Sequence, residues 1–147
     1  MNKRLKIIIE KLRQKNIRLT PQRIAVIKFL VGNKTHPTVD EIYSAIEKNY
    51  YNLSKATVYS TVELLVDLGE VKQLAIQRNN ATCYDPTPEK HHHFLCKRCG
   101  KMYDIPVGFP KNCELFAFLN ENGYSVDDIE SYVYGLCPKC IKKSDKE

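Results

Sequence analysis

No stretch of the 147-residue chain approaches the roughly 18 consecutive apolar residues that span a bilayer. In the basic opening segment MNKRLKIIIEK the apolar run is only Ile7 to Ile9, so a soluble, unexported, cytoplasmic protein is expected. Cysteine is sparse: six residues, about 4% of the chain, fall short of the density of a small disulfide scaffold. In a compartment that keeps thiols reduced, those cysteines are expected to hold metal. The length excludes the large catalytic barrels. Neither HExxH nor a separate Glu/His pairing is present for a metal-dependent hydrolase, so no enzyme is expected. There is no internal repeat, and the only low-complexity tract is the charged tail from Lys142 to Glu147.

What is present divides unevenly. Residues 1–82 carry 14 basic and 7 acidic side chains, whereas residues 83–147 carry 9 and 10. All six cysteines and three of the four histidines lie in the second part. The first part therefore reads as a polyanion-binding module and the second as a metal-binding one. The seam is Asp85-Pro86-Thr87-Pro88-Glu89, where two prolines interrupt regular structure. The expected domains are 1–83 and 84–147, the latter beginning with the hinge.

Leu5, Ile8, Ile9 and Leu12 repeat at helical spacing. Thr20 is a suitable N-cap with Pro21 at the first helical position, followed by Ile24, Ile27 and Val31 and a stop at Gly32. Thr38 and Glu41 form a capping box, with Ile42, Ala45 and Ile46 expected inward. Ser54 caps a fourth helix whose Val58, Val62, Leu65 and Leu68 face the core and which Gly69 closes. Two helices joined by a short turn after basic helices suggest a helix-turn-helix. The outward residues near the start of the second are Lys55, Ala56, Thr57, Tyr59 and Ser60. They suit thymine methyls, sugars and phosphates. Lys15, Arg18 and Arg23 join them as DNA-contact candidates. Two strands flanking Arg78-Asn79-Asn80 complete a winged helix. Scattered charge can also merely solvate a surface, and Tyr59 serves packing as readily as a base contact.

Cys96-x-x-Cys99-Gly100 and Cys137-x-x-Cys140 are two knuckles separated by 37 residues. Four thiolates suit tetrahedral structural zinc, with a redox pair as the lesser reading. Cys83 and Cys113 are read as ordinary unpaired residues. His91 and His93 share a strand face that His92 leaves. If the first knuckle closes a hairpin centred between Cys96 and Cys99, Asp104 falls opposite His91, giving two imidazoles and a carboxylate together. A run of histidines can also be an exposed polar strand.

Several pieces taken together resemble one family, the ferric uptake regulator (Fur) superfamily of metal-dependent repressors. They are Leu19-Thr20-Pro21-Gln22-Arg23, His36-Pro37-Thr38-Val39-Asp40-Glu41-Ile42-Tyr43, Ala56-Thr57-Val58-Tyr59, Cys83-Tyr84-Asp85, the histidine run with the first knuckle, and Tyr134-Gly135-Leu136 with the second. The resemblance implies an α+β protein: an N-terminal winged helix-turn-helix, then a small α/β dimerisation domain with a four-cysteine zinc site, working as a homodimer on palindromic double-stranded DNA. It implies a regulatory Fe(II) or Mn(II) site made of His36, Asp85, His91, His93 and Asp104. By composition alone His36 would be a loop residue. Asp104, where iron-uptake members more often carry Glu, resembles the peroxide-sensing (PerR) branch, in which Fe(II) and peroxide oxidise a ligating histidine. Iron-uptake or manganese-, zinc- or nickel-responsive repression is the alternative. A zinc-ribbon protein that never touches DNA is a remote one. Lys111 and Ile129 stand where relatives hold ligands of an additional site, so that site is expected to be absent or altered, and His92 carries no metal role. Ser60 departs from both branches, which bears on operator preference.

Overall fold

The computed structural model describes residues 2–108 and 113–144. It divides into two compact units, Met1–Pro88 and Glu89–Glu147. Lys111 lies outside the described residues.

The first unit is built from α1 (Lys3–Gln14), α2 (Pro21–Val31), α3 (Val39–Ile46), a 3-10 turn (Glu47–Asn49), α4 (Lys55–Asp67), β1 (Lys72–Arg78) and β2 (Ala81–Asp85). Its helix starts are capped as expected. Thr20 accepts from the Arg23 amide, Ser54 from the Thr57 amide, and Thr38 and Glu41 form a reciprocal box. At the other end of α4, Gly69 takes φ +69, the left-handed conformation that ends a helix without a Cβ clash. Leu5, Ile8 and Leu12 of α1 enter one core with Ile42, Ile46, Val58, Val62 and Leu65.

Two inward assignments need correction. In α2 the buried residues are Ala25, Val26, Ile27 and Leu30, while Ile24 and Val31 are only half-buried. This helix is apolar on nearly every side, so periodicity could not choose its inner face. In α3 Ala45 is exposed, and the packed stripe is Val39, Ile42, Tyr43 and Ile46. At roughly 100° per residue, position 45 falls off the centre of that stripe.

β1 and β2 pair antiparallel through a two-residue turn, Asn79-Asn80, with φ of 52° and 60°. Both positive angles mark the turn type that matches strand twist in tight hairpins, and asparagine tolerates them. This is the wing. Asp85 closes β2, paired with Lys72, and so belongs to a strand rather than to the hinge.

The second unit contains β3 (His92–Cys96), β4 (Met102–Ile105), α5 (Glu114–Glu121), β5 (Tyr132–Gly135) and α6 (Pro138–Ser144). Its sheet runs β4-β3-β5, with β3 antiparallel to β4 and parallel to β5. Among its described residues, Cys96, Cys137 and Cys140 form a buried cluster with Phe94 and Tyr103 against them. No helix of the described residues is long and apolar enough to cross a membrane.

Candidate metal centres and nucleic-acid face

The two knuckles meet. Cys96, Cys99, Cys137 and Cys140 place their sulfurs within 4.8 Å of one another. The Cys99 and Cys137 sulfurs are 3.9 Å apart, close to the roughly 3.8 Å edge of a tetrahedron with 2.3 Å metal–sulfur bonds. Local backbone explains the aim. Cys96 N–H donates to the Lys101 carbonyl and Gly100 N–H to the Cys96 carbonyl, across a turn that needs Gly100 at φ +69. The second knuckle opens α6, and Arg98 donates to the Cys140 carbonyl at 3.0 Å.

The thiols differ in acidity. Amide donation from Cys99 and Cys137 draws the Cys96 thiol down to about 6. A hydrogen bond from the Tyr103 hydroxyl lowers Cys137 and raises Tyr103 in return. Burial pushes Cys140 up to about 12. A thiolate forms readily at one corner, but the set as a whole needs a divalent charge to lose its protons. This donor set fits zinc.

In the second unit, β3 presents the histidines. The register differs from the expected one: Asp104 pairs with His93, and His92 with Ile105. The turn is centred between Arg98 and Cys99 rather than midway between the two cysteines. The shift is two residues, an even number, so Asp104 stays on the face of His91 and His93. The Asp104 Oδ1 lies 3.0 Å from His91 Nε2 and 3.8 Å from His93 Nε2. The two imidazole Nε2 atoms are 3.0 Å apart. Ligands about 2.1 Å from one ion at right angles would be roughly 3 Å apart. His91 Nδ1 lies 2.6 Å from the Glu89 carbonyl. A carbonyl only accepts, so that contact puts the proton on Nδ1 and leaves the Nε2 lone pair for a metal. His93 stacks on Tyr132, centroids 5.5 Å apart. His92 points to the other face, with Nδ1 2.5 Å from Ser131 Oγ.

In the first unit, His36 and Asp85 are 1% and 2% exposed, with His36 Nε2 3.9 Å from Asp85 Oδ1. His36 holds φ +53 ahead of Pro37, an uncommon backbone for a residue with a Cβ. The Asp85 carboxylate accepts from the Thr87 amide at 2.8 Å. The Cys83 sulfur contacts the carbonyl of Ala81 in its own strand at 3.8 Å. The donors of both units are imidazole and carboxylate without sulfur, a set that suits Fe(II) or Mn(II).

Of the candidate DNA-contact residues, Lys15, Arg18, Lys55, Ala56, Tyr59 and Ser60 are exposed. Arg23 is half-buried and donates to the Arg18 carbonyl. Lys55 pairs with Asp40 at 2.9 Å, a surface contact that a phosphate can replace at little cost. The Thr57 and Ser60 hydroxyls are engaged locally, one with Ser54 and the other with the Thr57 carbonyl. The Tyr59 hydroxyl bonds to Glu63, which raises its pKa. Sequence reasoning missed Tyr103, Tyr132, Ser131, Arg4 and Arg78. Each acts across tens of residues and leaves no local signature.

Residues 14–130 match the sequence profile of the Ferric uptake regulator family. The chain is 36% identical over 135 residues to the peroxide-responsive repressor PerR of Staphylococcus saprophyticus, covering 92% of this chain and 90% of that one. Among solved structures, it is similar to PerR from Streptococcus pyogenes, with 34% identity, a TM-score of 0.53 and 92% of each chain covered. The Helicobacter pylori ferric uptake regulator, described with three functional metal binding sites, shares the fold at a TM-score of 0.78. It is 19% identical, with 94% of this chain and 91% of that one covered.

Proposed function

Since the chain belongs to the ferric uptake regulator family, we propose that it is a metal-dependent, DNA-binding transcriptional repressor of the peroxide-responsive kind. It acts in the cytoplasm as a homodimer on a palindromic operator. The observation that carries this reading is that each unit brings hard donors of its own: His36 and Asp85 in the winged-helix unit, and His91, His93 and Asp104 in the other.

A single ion taken by both sets favours the conformation in which all five donors can reach it. Shifting a two-state hinge from mostly open to mostly closed needs a differential of about 5 kcal/mol. Ligands available in only one state can supply that. By linkage, DNA then tightens metal binding by the same factor that metal tightens DNA binding. The four-cysteine set holds zinc, and because Cys96, Cys137 and Cys140 are among the unit's buried residues, that ion contributes to folding of the second unit. The DNA-reading domain, expected over 1–83, extends through β2 to Pro88, and the remainder of the expected 84–147 carries dimerisation and structural zinc. The contacts assigned to DNA are Lys15, Arg18, Arg23, Lys55, Ala56, Thr57, Tyr59 and Ser60.

His36, Asp85, His91, His93 and Asp104 would hold the ion, and Fe(II) there would activate hydrogen peroxide beside its ligands without being consumed. In net balance peroxide is the two-electron oxidant: one of its oxygens would go to a ring carbon of His36 or His91 and the other would leave as water. An oxidised ring is a poorer donor, the donor set weakens, and DNA is released. The protein is consumed by its signal, so no catalytic turnover is part of this reading. Mn(II) supports repression without the oxidation.

The test loads the zinc-containing protein with Fe(II) or Mn(II), adds peroxide, and follows DNA binding together with the mass of His36 and His91 peptides. The expected result is a gain of about 16 Da and loss of DNA binding with iron only, as one oxygen atom adds to the ring. DNA release without that gain would remove the peroxide assignment and leave an iron- or manganese-responsive repressor. DNA binding indifferent to both metals would remove the regulatory reading itself.

A further inference from the structure

The first unit's two donors sit in segments that would not hold their posture unaided. His36 follows α2 in a loop and keeps φ +53 next to a proline, a conformation that persists only where neighbours impose it. Asp85 is the last residue of its strand, and Pro86-Thr87-Pro88 after it has no ladder partner in β1. Each is gripped from behind by an arginine distant in sequence.

Arg4, in the first turn of α1, reaches two backbone carbonyls with one guanidinium. One nitrogen donates to the carbonyl of Pro86, adjacent to Asp85, and the other to the carbonyl of Glu70 at 2.6 Å. The Glu70 carboxylate in turn pairs with Lys11, two turns further along the same face of α1. The clasp therefore joins α1, the turn entering β1 and the segment leaving β2. The Asp85 carboxylate is oriented inside it by the Thr87 amide. Arg78, at the wing, pairs with Glu41 of the α3 capping box and reaches the His36 carbonyl at 3.5 Å. The same loop is tied to β2 by the Tyr84 amide, which donates to the Pro37 carbonyl at 3.0 Å. Both arginine side chains are mostly shielded, 22% and 18% exposed, where charge-assisted hydrogen bonds keep their strength.

We infer that Arg4 and Arg78 are positioning residues that preset Asp85 and His36 for the regulatory ion. The inference rests on the proposed reading that these two side chains ligate it. Neither arginine touches the ion. Each removes freedom that binding would otherwise have to remove, so its contribution appears as metal affinity. Lysine cannot substitute fully at position 4, because a single ammonium lacks the planar fork that spans two carbonyls.

The experiment uses the full-length chain with zinc at the cysteines. Mn(II) is titrated without DNA, reading free ion by electron paramagnetic resonance, and Co(II) is added in parallel for its d–d spectrum. Arg4→Ala should weaken Mn(II) binding about ten-fold, the loss expected of one charge-assisted hydrogen bond, and Arg78→Ala, whose contact to the His36 carbonyl is longer, about three-fold. Stoichiometry and the saturated Co(II) spectrum should stay those of the parent, because the ligands are intact. Arg4→Lys should lose about three-fold, restoring part of the grip. It also keeps the measurement available should Arg4→Ala fail to fold. Asp85→Ala is the reference that separates the two readings. Affinity within two-fold of the parent in all three arginine variants, with a large loss in Asp85→Ala, would overturn the inference and leave the site. An altered Co(II) spectrum in the arginine variants would also overturn it, by showing a changed ligand set. No loss in Asp85→Ala would overturn the ligand reading and this inference with it.

Discussion

His91 places its Nδ1 2.6 Å from the carbonyl of Glu89, two residues earlier in its own chain, so its Nε2 turns its lone pair to Asp104 and His93. The main chain chooses the tautomer before any ion is present. His91→Ala is accordingly expected to lower Mn(II) affinity by at least about 100-fold. His92→Ala should leave it within about two-fold, since His92 faces Ser131 on the other side of the sheet. Calorimetric titration of both variants checks the contrast, and equal losses would show that the face assignment is wrong.

Zinc at the cysteines should bind more tightly as pH rises. Without metal, the Cys140 thiol is pushed up to about 12 and is protonated at neutral pH, so binding must displace its proton. The Cys96 thiol, drawn down to about 6, has already lost its proton at pH 7.5 and adds little to the dependence there. As pH falls below 6 it regains the proton and competes as well. Chelator-driven zinc release, followed by circular dichroism, should therefore accelerate from pH 8 to pH 5 and melt the second unit. A pH-independent rate would contradict the thiol assignment.

Native mass spectrometry should find two ions per chain, zinc at the cysteines and one at the imidazole and carboxylate donors. Two such groups are present among the described residues. Lys90 pairs with Asp128 at 3.1 Å and His92 contacts Ser131. Those contacts link Lys90 and β3 to the segment before β5. A third, stoichiometric ion retained by the Cys96→Ser and His91→Ala variants would refute the count.

The α3 capping box should be worth about 1 kcal/mol, so Thr38→Ala lowers stability by that amount in a chemical-denaturation midpoint. Glu41 also holds Arg78. Glu41→Ala should therefore weaken Mn(II) binding as well as the helix, whereas Thr38→Ala should affect stability far more than affinity.

Lys55→Ala should reduce the dependence of duplex-DNA affinity on salt by about 0.9 in the log–log slope, as for one phosphate contact. Measured by fluorescence anisotropy across salt concentrations, an unchanged slope would leave Lys55 with its structural partner Asp40 alone.

The winged helix was legible because its determinants are local. Caps at Thr20, Thr38 and Ser54, the stop at Gly69 and the Asn79-Asn80 turn act within a few residues of themselves. The pairing of the two knuckles was legible too, since sulfur has few other uses at that spacing. The inner face of α2 was not, because a helix apolar on nearly every side carries little phase. Neither was the hairpin register. Two turn centres one residue apart fit the same sequence, and only backbone closure around Gly100 selects between them.

The residues alone determined which chemistries were available: a basic winged helix, four thiols in two pairs, and a strand that sends His91 and His93 to one side and His92 to the other. Side-chain alternation is a property of any strand, so no fold was needed to know it. Tertiary structure alone decided that Asp104 stands opposite His93, that Tyr132 backs that ring, and that Arg4 and Arg78 grip the segments carrying Asp85 and His36. Those contacts depend on a strand register or join positions as far as 82 residues apart. Their partners are selected by the global packing of the chain, which no short window of sequence contains.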